Sequence, residues 1–162
     1  MAVEIIEADL HQAHHQRAVV DLINAYAGDI MGGGKALPEQ VQHDLVPGLQ
    51  AHPTTLVLLA YDGAEAVGIA VCFQGFSTFK AKPLVNIHDL AVAPTHRSLG
   101  IGRKLLDAVE HKARERGCCA VTLEVLEKND RARRLYAAAG FAPPGYNPEQ
   151  GGGTLFLSKL LS

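Results

Sequence analysis

Leu84–Val92 and Cys119–Leu126 are two apolar runs of strand length, and the residues between them read as a helix. Ile101, Leu105, Ala108 or Val109, and Ala113 recur at helical spacing until Gly117 ends the series. A strand, a helix and a second strand in that order form a crossover, which makes the two strands parallel members of one sheet with the helix on a face of it. The rest of the chain has to be arranged around that unit.

Upstream, "AVEIIEA" alternates as a first strand, and Asp9 is expected to cap a helix running to about Ala27. Ala18, Leu22 and Ala25 form one stripe of that helix, beside Val19, Ile23 and Tyr26. The glycines of "GDIMGGGKALP" rule out regular structure, Pro38 opens a second helix, and Pro47-Gly48 is expected to bend or end it. Asp62-Gly63 marks a hairpin between two β-rich runs, Ala132, Leu135, Tyr136 and Ala139 line a short helix stopped at Gly140, and "TLFLSKLL" is a closing strand. The expected order is βααβββαβαβ, with helices on both faces of an α/β sheet. One further strand would fall in the proline-rich "FAPPGYNPEQGGG". No repeat or internal boundary divides residues 1–162, so a single domain is expected.

With 15 basic and 17 acidic side chains the net charge is −2, too balanced to gather nucleic acid or anionic membrane. The apolar runs are shorter than a membrane span and no secretory leader pattern opens the chain, so a cytoplasmic location is expected. Three cysteines, two of them adjacent at Cys118 and Cys119, do not suit structural disulfides and read as packing residues. His11, His14 and His15 read as a solvated helix face and His96 as an exposed loop residue, and no metal is expected.

The string "VAPTHRSLGIGRKLL" lies where the first crossover strand ends and its helix begins. A helix N-terminus presents unpaired N–H groups and about half a positive charge, which attracts anions wherever side chains leave room. Gly100 and Gly102 leave room, while Arg97, Arg103 and Lys104 add charge at the same end. A phosphate or pyrophosphate is the natural guest, yet neither the mononucleotide loop nor the dinucleotide fingerprint matches, because Gly102 is followed by Arg103, Lys104 and Leu105.

Val92, Pro94, Arg97, Gly100 and Gly102, followed by Asn129, Ala132, Leu135, Tyr136, Gly140 and Phe141, resemble in type, order and separation the two motifs of the GCN5-related N-acetyltransferase (GNAT) superfamily. The resemblance is tight over residues 84–141 and extends to the whole chain in element order. It implies a mixed, mostly antiparallel sheet of six or seven strands whose parallel pair, Leu84–Val92 and Cys119–Leu126, splays apart around acetyl-CoA. It also implies that amides of Ser98, Leu99, Gly100, Ile101, Gly102 and Arg103 hold the pyrophosphate beside Arg97, that the main chain of Leu90, Ala91 and Val92 pairs with the pantetheine arm, and that Asn129 touches the cofactor.

The same resemblance implies acetyl transfer to a primary amine by direct attack, with Tyr136 as the acid that protonates the leaving thiolate in preference to a core tyrosine of the helical stripe, because position and residue type both match. An alkylamine of pKa about 10.4 is neutral about once in 2,500 at pH 7, which costs about 4.6 kcal/mol and calls for a base. His88 is the candidate, with Asp89, Glu124 or a water relay in reserve. The acceptor, a small-molecule or a protein amine, is expected between "YAGDIMGGGKALPEQ" and "FQGFSTFKAKP". The family pattern has a regular strand where the prolines of 143–148 stand, so that strand would be short, displaced or an edge exchanged in a homodimer. An acyl-CoA-binding regulatory module without turnover is the rival reading.

Overall fold

The computed structural model describes residues 2–143 and 154–161. The crossover forms as the spacing requires: β4 (Lys82–Val92) and β5 (Ala120–Leu126) are parallel neighbours joined through α3 (Ile101–Glu115). Before them come β1 (Val3–Glu7), α1 (Ala13–Gly28), α2 (Glu39–Ala51), β2 (Thr55–Asp62) and β3 (Glu65–Ser77). After them come α4 (Asp130–Ala138) and β6 (Thr154–Leu160). The described strands form one sheet in the order β1-β2-β3-β4-β5-β6, antiparallel at every junction except β4-β5. The segment expected to hold a displaced or exchanged strand falls mostly on residues 144–153, outside the described residues; just before it, Ala142 bridges Ser158 of β6.

Each face of the sheet carries its own apolar layer. On one, Ile101, Leu105, Val109 and Ala113 of α3 pack with Leu58, Val85, Ile87, Val121 and Leu123, and Tyr136 of α4 joins them. On the other, Ala18, Val19 and Leu22 of α1 and Val46 and Leu49 of α2 pack with Val57, Leu59, Ile69 and Val71. Fully burying a leucine or valine side chain is worth about 1.5–3 kcal/mol. β2 and β3 supply both layers and are the most thoroughly covered strands. Cys72, Cys118 and Cys119 are buried free thiols, and burial pushes the Cys72 thiol up to about 12.

Several local expectations are corrected. Asp9 does not cap α1, which starts at Ala13 after Gln12; Asp9 accepts from the His11 amide, while its own N–H donates to Nδ1 of His15 at 2.8 Å. His15 is buried, so the His11, His14 and His15 group is not a uniformly solvated face. The glycine segment after α1 contains a single 3₁₀ turn, Ile30–Gly32. α2 runs through Pro47 and Gly48 to Ala51. Pro47 and His43 are both exposed, so the carbonyl that loses its helical donor can turn to water. Among the described residues no helix is long and apolar enough to cross a membrane, and no group of three or more His, Cys, Asp or Glu is placed to hold a metal.

Candidate active site

β4 and β5 are paired only at Val85–Val121, Asn86–Thr122 and Ile87–Leu123. Beyond that point they separate. The separation starts at a β-bulge, because Val71 of β3 faces Asp89 while the next residue, Cys72, faces Ile87, leaving His88 as the extra residue of β4. A bulge exchanges the two faces of everything that follows. Val85 and Ile87 point into the α3 layer; after the bulge that role passes to Leu90 and Val92, and Ala91 joins the α1 layer. Asp89, one step of alternation from Ala91, is turned the same way, toward α1.

The gap opens into a cleft of about 280 Å³. Its walls include Leu90, Ala91 and Val92 of β4, His96, Arg97 and Ser98 of the following turn, Gly100–Arg103 at the head of α3, and Asn129 and Tyr136. Leu22, Tyr26, Asp29 and Met31 close the side toward α1. Of the expected cofactor residues, only Leu99 is absent from the lining, its side chain being 53 % exposed. "YAGDIMGGGKALPEQ" reaches the cleft through Tyr26, Asp29 and Met31, whereas "FQGFSTFKAKP" supplies no lining residue. The latter forms the far tip of the β3-β4 hairpin, about ten residues along β4 from Val92, or about 33 Å at strand rise.

The turn that opens α3 leaves its first backbone amides unobstructed. Ser98 and Gly100 have φ of 62° and 81°, and a Cβ at Gly100 would meet nothing within 4 Å. The first helical bond runs from Lys104 N–H to Gly100 C=O at 3.1 Å, so the amides of Ile101, Gly102 and Arg103 precede the ladder. Gly102 has a different reason to be glycine, because a Cβ there would lie 2.9 Å from Cδ2 of Leu135. Its smallness lets α3 and α4 approach, which the expectation of an open phosphate seat did not include.

The turn is tied down on two sides. His96 is no exposed loop residue: its side chain is 13 % exposed, with Nε2 3.0 Å from Oδ2 of Asp62 and Nδ1 2.8 Å from Oγ1 of Thr95. Arg97 donates from Nη2 to Oδ2 of Asp29 at 2.8 Å and from Nε to the carbonyl of Val92 at 3.3 Å. Asn129 caps α4, its Oδ1 accepting from the Ala132 amide at 3.2 Å.

Tyr136 is buried against Phe141, and burial, with a smaller contribution from Tyr26, holds its phenol far above the usual range. Tyr26 is raised as well, first by burial and then by the charges of Asp89 and Asp29. Burial raises the Asp89 carboxyl, against a lowering contribution from His88. The His88 ring itself is exposed and edge-on to Phe73, Glu124 is exposed, and His88, Asp89 and Glu124 all lie outside the cleft lining. Tyr26, which feels the charges of Asp89 and Asp29, and Tyr136 thus both line the cleft beside the turn at the head of α3.

Residues 10–141 match the family model described as "Acetyltransferase (GNAT) family". The chain is 39 % identical over 97 residues to an uncharacterized N-acetyltransferase of Archaeoglobus fulgidus, covering 59 % of this chain and 63 % of that one. It is 36 % identical over 78 residues to a thialysine N-epsilon-acetyltransferase of Bos taurus, covering 48 % of this chain and 45 % of the relative. The matches thus span about half to two thirds of those relatives' lengths. Among solved structures, the yncA protein of Salmonella typhimurium with its cofactor acetyl-CoA superposes with a TM-score of 0.72 at 19 % identity, over 100 % of this chain and 95 % of that one.

Proposed function

The chain belongs to the acetyltransferase (GNAT) family, and from that premise we propose that it transfers an acetyl group from acetyl-CoA to a primary amine. One observation carries the reading. The β4-β5 seam closes after three residue pairs, and the space it leaves is lined jointly by the anion-binding turn, the free stretch of β4 and Tyr136.

The donor set fits the cofactor. The amides of Ile101–Arg103, the unobstructed Gly100 and the positive N-terminus of α3 suit a pyrophosphate. Leu90–Val92, released from β5, offer strand-type main-chain groups to the amides of a pantetheine arm. Asn129 and Arg131 line the same cleft. Acetyl-CoA supplies an acyl group activated as a thioester. Unbridged buried cysteines are in keeping with a reducing, cytoplasmic setting.

In this reading Tyr136 is the acid. Its raised pKa keeps the phenol protonated through the neutral range, so that it can donate to a thiolate. Asp89 is the better-supported proton acceptor. The bulge turns it toward α1, its charge is felt at Tyr26, and burial raises its proton affinity. His88, the exposed residue of the same bulge, would pass the proton from Asp89 to water. Tyr26 lines the acceptor side and can donate to the substrate. A base provided in this way suits an alkylamine, the acceptor type in the name of the thialysine-acetylating relative.

Two measurements test the reading. Calorimetry should detect coenzyme A and acetyl-CoA binding. Acetyl-CoA with a panel of primary alkylamines, lysine and thialysine included, should then release thiol in an amine-dependent way. Binding without release for any amine would favour the regulatory module, and no binding would end both readings.

A further inference from the structure

Asp29 and Arg97 are 68 residues apart in sequence, yet their ion pair joins the two sides of the cleft. Arg97 belongs to the turn that leads into α3, and Nε on Val92 O fixes its guanidinium to the end of β4. Asp29 organises the near half of the segment after α1, whose far end is tied to that helix by Lys35 N–H on the Ala27 carbonyl at 3.1 Å and Leu37 N–H on Asn24 Oδ1 at 2.8 Å. Asp29 Oδ1 accepts from the Met31 amide at 3.0 Å, and the Asp29 carbonyl accepts from Gly32 and Gly34, each at 2.9 Å. Gly32 packs so closely on the Tyr26 carbonyl that a Cβ would lie 1.9 Å from it, so this segment has little freedom while Asp29 is held. Both side chains are mostly sheltered, at 28 % and 22 % exposure, which limits screening of the pair.

We propose that Asp29 is a positioning residue for the acceptor wall, which it holds through Arg97 in register with the cofactor turn, so that filling the turn orders the segment from Asp29 to Gly34. The inference rests on the reading of 98–103 as the diphosphate seat. A diphosphate bound to those backbone amides immobilises the turn and with it Arg97. Arg97 then restricts Asp29, and Asp29 restricts the amides of Met31, Gly32 and Gly34 that depend on it. By linkage, an ordered acceptor wall tightens the cofactor site by the same factor. The acceptor is thereby received by a wall that is set only when the acetyl donor is in place.

Hydrogen exchange at Met31, Gly32 and Gly34 tests this, with and without saturating coenzyme A as the probe and with no acceptor required. In the wild type coenzyme A should slow exchange at these amides by about tenfold, within the usual range of coupling between sites. In Asp29→Asn, which keeps an acceptor for the Met31 amide and so preserves the turn, the slowing should fall below about twofold, and Arg97→Lys should behave alike. A contact with only a structural role would change exchange in the free protein but leave the coenzyme-dependent ratio unaltered. Undiminished slowing in Asp29→Asn, with coenzyme A shown by calorimetry to bind, overturns the strap alone. Absence of coenzyme A binding by the wild type overturns the diphosphate seat and the strap with it.

Discussion

At the scale of single residues, burial favours the protonated form of both groups proposed to handle protons. Tyr136 has its pKa raised by desolvation, which favours the neutral phenol, and Asp89 is raised by the same cause. Tyr136→Phe removes the donor while keeping the ring against Phe141. We expect turnover to fall about 10²-fold, in the usual range for a general acid, with coenzyme A affinity unchanged by calorimetry. A base must be deprotonated to act, so activity should fall as pH drops through the Asp89 pKa, which lies above that of an ordinary carboxyl. Asp89→Asn should abolish that acidic limb of the pH–rate profile together with most of the rate, whereas His88→Gln should keep the limb in place. The sequence could name His88 and Asp89 as neighbours on a strand but could not rank them, because the bulge that sets both on the α1 face, His88 exposed beside Phe73 and Asp89 more sheltered, arises from the register of β3 against β4. The partners of His96 and Arg97 were hidden for a related reason: Asp62 and Asp29 lie 34 and 68 positions away, and no local pattern records such a pairing.

At the scale of elements, the junction of α3 with α4 sets how tightly the cleft is walled. Gly102 lies under Leu135, so Gly102→Ala introduces an overlap that the leucine must relieve by moving. The atom that must move is the far end of a flexible, half-buried side chain, and alanine suits a helix better than glycine, so the two effects oppose each other. Chemical denaturation should show Gly102→Ala within about 1 kcal/mol of the wild type, and Gly102→Ala/Leu135→Ala below it, because the leucine's contacts with the core are lost. A much larger loss in Gly102→Ala would mean that Leu135 cannot yield. Elements with their own period were legible in the sequence, since α3 and α4 declare their buried stripes and the Asp62-Gly63 hairpin its turn, with Gly63 at φ 61°. Junctions between elements were not. Gly102 reads as space for a ligand because its neighbour across the junction, Leu135, comes 33 positions further on.

For the whole molecule, two apolar layers hold β1 to β4 firmly, and the parallel seam, with three residue pairs, is the weakest joint of the sheet. A ligand seated there should stabilise the fold by mass action, about 2.7 kcal/mol at one hundred times its Kd. For a chain of this size that is roughly 5–10 °C in Tm. A thermal melt with coenzyme A at that excess should show such a rise, and an unchanged Tm would indicate that the seam takes no ligand. The architecture was readable at this scale because a strand–helix–strand run admits few topologies, and the remaining strands could be added by order.

The burial of every cysteine has a practical outcome. With Cys72, Cys118 and Cys119 enclosed, and the Cys72 thiol raised to about 12, the native protein presents little reactive sulfur to a chromogenic disulfide reagent. The colour that develops during catalysis will therefore come from the sulfhydryl of spent coenzyme. A continuous optical assay can be run on the unaltered polypeptide, without first replacing its own sulfur atoms.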